Sequence, residues 1–231
     1  SLAYALQMEG RFAEAEPLFE DSNERIQRTL GPEHPYTVDM MSNYGRFLRR
    51  RGQLDEAESI FRRVLDYYAR KRGADHPNVG TAHANLAIVL HDANRWAEAQ
   101  AEFQRARDSY AKSLPPDHPY LISVYSGLGR VLLDRGRLTE ALPLLEQAVD
   151  VATRSIDPDS ASSAMARVSL ASALVHLGRL EEADALLTRS YDIVMKTQGA
   201  GSAIVRHAQN ARAAISRERA TTGFARQLYS D

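Results

Sequence analysis

A ten-residue phrase recurs along this chain at a fixed step. It begins at Gly10 (GRFAEAEPLF), Gly52 (GQLDEAESIF), Asn94 (NRWAEAQAEF), Gly136 (GRLTEALPLL) and Gly178 (GRLEEADALL), each start 42 residues after the one before. No insertion or deletion breaks the register. Ala15, Ala57, Ala99, Ala141 and Ala183 each follow a Glu, and four residues later stand Phe19, Phe61, Phe103, Leu145 and Leu187. A second series keeps the same step: His34-Pro35, His76-Pro77 and His118-Pro119, then Ser160-Ala161 and Ser202-Ala203. Repetition at a period of about 20–50 residues marks small units that bury their apolar faces only against one another. Such a chain builds a stack, with no central pocket-bearing core.

Each unit reads as two helices. After His34-Pro35 the apolar residues Val38, Met41, Tyr44, Phe47 and Leu48 fall at intervals of three and four, which is one face of a helix. Gly52 ends that helix, where a residue with positive φ closes the turn. The next segment carries Leu54, Ala57, Ile60, Phe61, Val64, Leu65 and Tyr68 on its own stripe. It ends in Arg70-Lys71-Arg72, cations suited to the negative end of the helix dipole. Pro77 fits the first turn of the helix that follows, where no intrahelical donor is needed. Small residues stand where helices must approach closely: Ala3, Gly45, Ala87, Gly129 and Ala171 in the first helix, and the Ala of each Glu-Ala in the second.

Composition narrows the chemistry. The 231 residues contain no Cys, which removes disulfides, thiolate zinc sites and cysteine nucleophiles. A formal net charge of −1 argues against a general nucleic-acid or membrane surface, since both need a clustered cationic excess. No apolar run approaches the ~20 residues of a membrane-spanning helix. The opening SLAYALQMEG carries no initiator Met and no basic leader, so it reads as cut from something longer, and a cytoplasmic location is expected. The basic residues are 26 Arg and 3 Lys beside abundant Ala, which points to a GC-rich, bacterial genome.

Two helices per unit, fixed small residues and the G-x-x-x-E-A turn resemble the tetratricopeptide repeat. The 12-residue step from Gly45 to Ala57 is that family's. The 42-residue period, the N-x-[GA] motif and the loops GPEHPY from Gly31, GADHPN from Gly73 and PPDHPY from Pro115 resemble its kinesin light chain subtype. The resemblance implies an all-α, right-handed α-solenoid of antiparallel helix pairs over residues 1–217. Residues 218–231 lose the Glu-Ala signature and are expected to form a terminal cap or frayed tail. Bacterial relatives are often fused to kinases, signalling ATPases or protease-like domains.

In this family the first helix of each pair lines the inner, concave face. Carried over, that face comprises Asp39, Ser42, Asn43, Arg46 and Arg50 in one unit, then Thr81, Asn85, Ile88 and Asp92. It continues with Ser123, Ser126, Arg130 and Asp134, then Ser169, Ser172 and His176. Asn43 and Asn85 lead these candidates. An Asn amide both donates and accepts, so it can pair with the backbone of an extended peptide whatever that peptide's sequence. The alternative is that each Asn bonds within its own solenoid. The column continues as Gly127, Ser169 and Ala211, which puts peptide binding in doubt beyond the third unit. Arg46 and Arg130 offer planar, bidentate forks to carboxylates, so an acidic peptide fits them; a salt bridge to Asp39 or Asp92 fits as well. The Lys and Asn of the chaperone-type carboxylate clamp are replaced by Ser42 and Arg46, so that ligand is not expected.

No catalytic or metal constellation emerges. His34, His76 and His118 sit one per repeat, on the order of 10 Å apart, whereas a zinc ion needs its ligands at about 2 Å. They read as loop residues beside helix starts. The five Glu-Ala glutamates each lie near a helix start, where the dipole favours an anion. Arg49-Arg50-Arg51 sits at a helix end, where dipole compensation accounts for it. No phosphate loop, nucleophile elbow or HExxH appears, so neither cofactor nor metal is expected. The function expected is a non-catalytic module that binds a peptide segment of a partner protein in its groove. The alternative is a scaffold or self-associating segment of a larger signalling protein, with oligomeric state open. Kinesin motor association, the subtype's best-known role, does not suit a bacterial chain.

Overall fold

A computed structural model describes residues 2–199 and 201–228. Among these, eleven helices follow one another: α1 (Leu2–Met8), α2 (Phe12–Leu30), α3 (Pro35–Arg51), α4 (Leu54–Arg72), α5 (Pro77–Asp92), α6 (Trp96–Ser113), α7 (Tyr120–Asp134), α8 (Leu138–Ser155), α9 (Ala161–His176), α10 (Leu180–Gln198) and α11 (Ala203–Leu228). Each consecutive pair packs antiparallel, and the pairs stack into an α-solenoid. Helix α11 crosses the expected boundary at residue 217 and continues to Leu228; residues 229–231 of the expected tail lie outside the described residues.

The turn inside each pair is built by the repeated phrase. Gly10, Gly52, Gly136 and Gly178 all have positive φ, and Asn94 takes φ 60° at the one copy that lacks Gly. Asn tolerates the left-handed region, which is why it alone replaces Gly there. The N–H of Gln53 reaches back to the Leu48 carbonyl, as Arg95 does to Leu90, Arg137 to Leu132 and Arg179 to Leu174. These bonds satisfy carbonyls orphaned at the helix end. The following helix starts without a side-chain N-cap. Instead the fork of Arg11, Arg95, Arg137 or Arg179 grips Glu14, Glu98, Glu140 or Glu182, three residues on, through two hydrogen bonds of 2.6–2.8 Å. Those pairings account for four of the five repeated glutamates.

The other joint uses the histidines. His34, His76 and His118 each accept the N–H of the residue two positions on, at 3.2 Å to Nδ1. A histidine thus does the work of a Ser or Asp cap; Ser160 takes that role before α9, accepting from Ser163 N–H at 3.2 Å.

The core repeats with the sequence. Ala15, Ala57, Ala99, Ala141 and Ala183 are 0% exposed, and Phe61, Phe103, Leu145 and Leu187 pack beside them at 0%. Helices α5, α7, α9 and α11 touch one another directly, whereas the second helices are spread apart. The stack is therefore curved, with the first helices inside.

Candidate functional site

The inner face is a set of columns, one residue per repeat. Tyr4, Arg46, Ile88, Arg130 and Ser172 form one; Arg50, Asp92, Asp134 and His176 form the next, a turn further along each helix. Structure divides the expected residues into three groups.

The first group is used locally. Asp39 accepts from Tyr68 Oη at 2.7 Å, joining α3 to α4. Ser42 donates to the Val38 carbonyl at 3.0 Å, and Ser123 to the Tyr120 carbonyl at 2.9 Å. Thr81 donates to the Pro77 carbonyl and meets Tyr110 Oη at 2.9 Å. Ile88 packs, half-buried, against the core.

The second group keeps access to solvent. Asn43 and Asn85 are both half-exposed. Asn43 Oδ1 accepts from Arg46 Nη2, and its amide N–H₂ meets only Met40 Sδ at 3.8 Å. Asn85 makes no side-chain hydrogen bond among the described residues. Arg46 is exposed, yet crowding by the groove walls holds its guanidinium below its ordinary pKa. Tyr4, 59% exposed on α1, completes the column of Arg46. Sequence reasoning missed this tyrosine, although it stands 42 residues before Arg46 in the same column. Further along, the Asn column closes. A Cβ at Gly127 would lie 2.2 Å from the Phe103 ring, and Ser169 and Ala211 are buried. From the third rung onward that column points into the joint between repeats.

The third group forms a desolvated polar seam across three inner helices. Arg49 (α3) donates to Asp92 (α5) at 2.6 Å, and His91 (α5) meets Asp134 (α7) at 2.6 Å through Nε2. Both rungs link a residue to the one 43 positions on. Burial pushes the His91 imidazole down, but hydrogen bonds to Asp134 and Asp92 outweigh it and raise its pKa. Burial likewise pushes Asp92 and Asp134 up, and their cationic neighbours win, holding both carboxylates below their ordinary value. Arg130 lies in the middle, its Nη2 3.4 Å from His91 Nδ1. Its Nε and the Ser126 hydroxyl are sealed from solvent without a partner. Beside Arg130 a cavity of about 80 Å³ opens among Asp134, Ser169, Ser172, His176 and His207. It is far below the ~300 Å³ at which small-molecule pockets begin.

Arg50 reaches further. Its Nη2 lies 3.2 Å from Gln198 Oε1 and 3.4 Å from the Thr197 carbonyl, at the end of α10. The curvature thus brings the second repeat against the fifth. Neither expected salt bridge forms: Arg46 pairs with Asn43 and not Asp39, while Asp92 is held by Arg49 and not Arg130.

A profile of the tetratricopeptide repeat matches residues 1–68, 36–112, 83–154 and 120–196. The chain belongs to the tetratricopeptide repeat family. Among solved structures, the tetratricopeptide-like repeats of a putative kinesin light chain from Podosopora anserina are 27% identical, covering 85% of this chain and 93% of that one with a TM-score of 0.62. BtubC (BKLC) from P. vanneervenii is 22% identical over 86% of this chain and 79% of its own, TM-score 0.64. A Rap protein complexed with competence and sporulation factor is 12% identical over 92% of this chain and 62% of its own, TM-score 0.69. The last two likenesses concern the fold alone. No functionally curated protein matches the chain. Tetratricopeptide repeats typically serve protein–protein interaction and are generally non-catalytic. No helix among the described residues is long and apolar enough to cross a membrane, and no group of His, Asp or Glu among them is placed to hold a metal ion.

Proposed function

We propose that this tetratricopeptide chain is a non-catalytic module whose inner face, within residues 1–217, binds a peptide segment of a partner protein. The observation that carries the reading is the pair Asn43 and Asn85. They are half-exposed, one repeat apart, and their amide N–H₂ groups have no oxygen partner among the described residues. Two such amides in register suit the backbone of an extended peptide, whose carbonyls need donors whatever its sequence. Arg46 beside them favours an acidic guest, because its Asn43 bond is neutral and leaves its charge unmatched. The Rap protein complex is a neighbour whose fold accommodates a bound factor.

A peptide-display selection on the full chain tests this beside an Asn43→Ala, Asn85→Ala, Arg46→Glu variant. Selected peptides are expected to lose about tenfold or more in affinity for the variant, one lost charge-assisted bond being enough for that. Equal binding to a variant that remains helical by circular dichroism sinks the reading. The scaffold reading has one observation in its favour: Leu2 and Tyr4 are exposed on α1, at 66% and 59%. Light scattering after size exclusion decides it; a dimer that Leu2→Ser, Tyr4→Ser dissociates would put the contact there.

A further inference from the structure

Arg130 stands apart from the other cations of the inner seam. Arg49 has Asp92 at 2.6 Å, and His91 has Asp134 at 2.6 Å. The guanidinium of Arg130 has no carboxylate oxygen within 4.0 Å among the described residues, and its Nε is sealed without a partner. Desolvation by the surrounding helices holds its pKa below the ordinary value. A cation partly withdrawn from water, with Asp92 and Asp134 near but not in contact, carries a desolvation cost that one carboxylate accepting from the fork would offset. The cavity of about 80 Å³ lies against this side chain, walled by Asp134, Ser169, Ser172, His176 and His207.

We propose that this cavity is a seat for a single carboxylate group, held by Arg130 between α7, α9 and α11. The walls fit that chemistry. Asp134 is spoken for by His91, so its charge is largely cancelled. Ser169 and Ser172 give their hydroxyl protons to the Met165 and Val168 carbonyls, which leaves Arg130 as the principal donor. His207 is held below its ordinary pKa by burial and by Arg130, and contributes an uncharged ring. Arg130 is thus the one permanent positive charge in the lining of the cavity. A monoanionic carboxylate matches it one for one, whereas a phosphate dianion would leave excess negative charge beside Asp134. The volume admits the end of one side chain or a small acid and no more. The seat deepens the groove reading, since it lies on the same inner face, beyond the two Asn residues. The carboxylate has two possible sources, a free acid or a peptide.

The test uses the full chain and sodium acetate, with sodium chloride and sodium phosphate at matched ionic strength. The ¹⁵N–¹H resonance of the Arg130 Nε group, identified by its disappearance in Arg130→Met, reports on the seat directly. Acetate is expected to shift it saturably, with about tenfold weaker responses to chloride and phosphate, as one charged hydrogen bond implies. Ser172→Leu fills the cavity while keeping the guanidinium, and should abolish saturation. It also keeps the test decisive if Arg130→Met does not fold. Equal responses to acetate and chloride, no response, or an acetate response that survives Ser172→Leu each overturn the seat. Peptides from the groove selection, with free or amidated C-termini, then separate the sources. Displacement of acetate assigns the seat to a peptide carboxylate; saturable acetate binding that no peptide displaces assigns it to a free acid. Acetate binding with no peptide captured at all keeps the seat and sinks the groove reading, whereas peptide capture without an acetate response does the reverse.

Discussion

Replacing Asp134 with Asn should change both the stability of the stack and its dependence on pH. The wild-type carboxylate accepts from His91 Nε2 at 2.6 Å in a joint where His91 is 7% exposed. A buried hydrogen bond to a charged group contributes about 1.5–3 kcal/mol, and for a chain of this length 1 kcal/mol moves the melting temperature by about 2–4 °C. Asp134→Asn should therefore melt about 3–12 °C lower near pH 6, with the secondary structure unchanged. The pH profile carries more information. His91 faces Asp134 and Arg130 on α7, Asp92 on its own helix and, beyond Asp92, Arg49 on α3, while His207 on α11 lies near Asp134. Its raised pKa means that its stabilisation is complete below the ordinary value of 6.5 and is lost as pH rises through the higher folded value. Asp92 and Asp134 act in the opposite sense. Their depressed values give stability above the ordinary 3.8 that is lost as pH falls through the folded values. His207, held below its ordinary value, adds stability that grows as pH rises towards 6.5, so the wild-type melting temperature should peak near pH 6.5 and decline above it. In Asp134→Asn the alkaline decline should flatten. Circular dichroism melts from pH 5 to pH 8.5 measure both curves. A wild-type curve that rises with pH above 6.5, or an equal decline in the variant, refutes the assignment of a charged His91 to this joint.

Three further outcomes follow from packing and capping. Gly127→Ala sets a helix-propensity gain of up to about 1 kcal/mol against about 1–3 kcal/mol of overpacking. With the added methyl 2.2 Å from the Phe103 ring, overpacking should win and the melting temperature should fall; a rise would show that the ring moves freely. His76→Ala removes the acceptor for Asn78 N–H and should cost about 0.5–2 kcal/mol in denaturant unfolding, with His76→Ser restoring most of it. Glu140→Ala removes an exposed partner of Arg137 and should leave the denaturant midpoint almost unchanged despite the bidentate geometry, because water and salt screen the pair.

Much of this architecture was legible because the sequence repeats its constraints. A left-handed turn needs Gly or Asn, and those residues recur at 10, 52, 94, 136 and 178. The Ala of each Glu-Ala recurs where two helices meet, and all five are fully buried. The histidine loops and the helix stripes followed in the same way. The site was less legible, and the reason is geometric. A period of 42 says which residues are equivalent, but not how far one repeat rotates against the next. That rotation decides whether a column faces solvent or a joint. It carries Asn43 and Asn85 towards solvent and Gly127 into the core. It also sets cations at 49 and 91 against carboxylates at 92 and 134, a step of 43 that the sequence contains but that only the stacked helices make meaningful. Tyr4 was overlooked for a simpler reason: it belongs to a first repeat too short to show its own pattern.

The bond from Arg50 to the end of α10 spans 147 residues, while most of the stack is held by neighbours. A solenoid joined only through adjacent units lengthens smoothly under load, each joint yielding a little. Here the second and fifth repeats are also fastened to one another. Tension applied to the two ends must first break that fastening, and only then extend the coil. The array therefore has a rest length, set by the four repeats from the second to the fifth, that no sum of its separate joints would give. Inserting or deleting a single 42-residue unit between them would preserve every local joint and still carry the end of α10 away from Arg50.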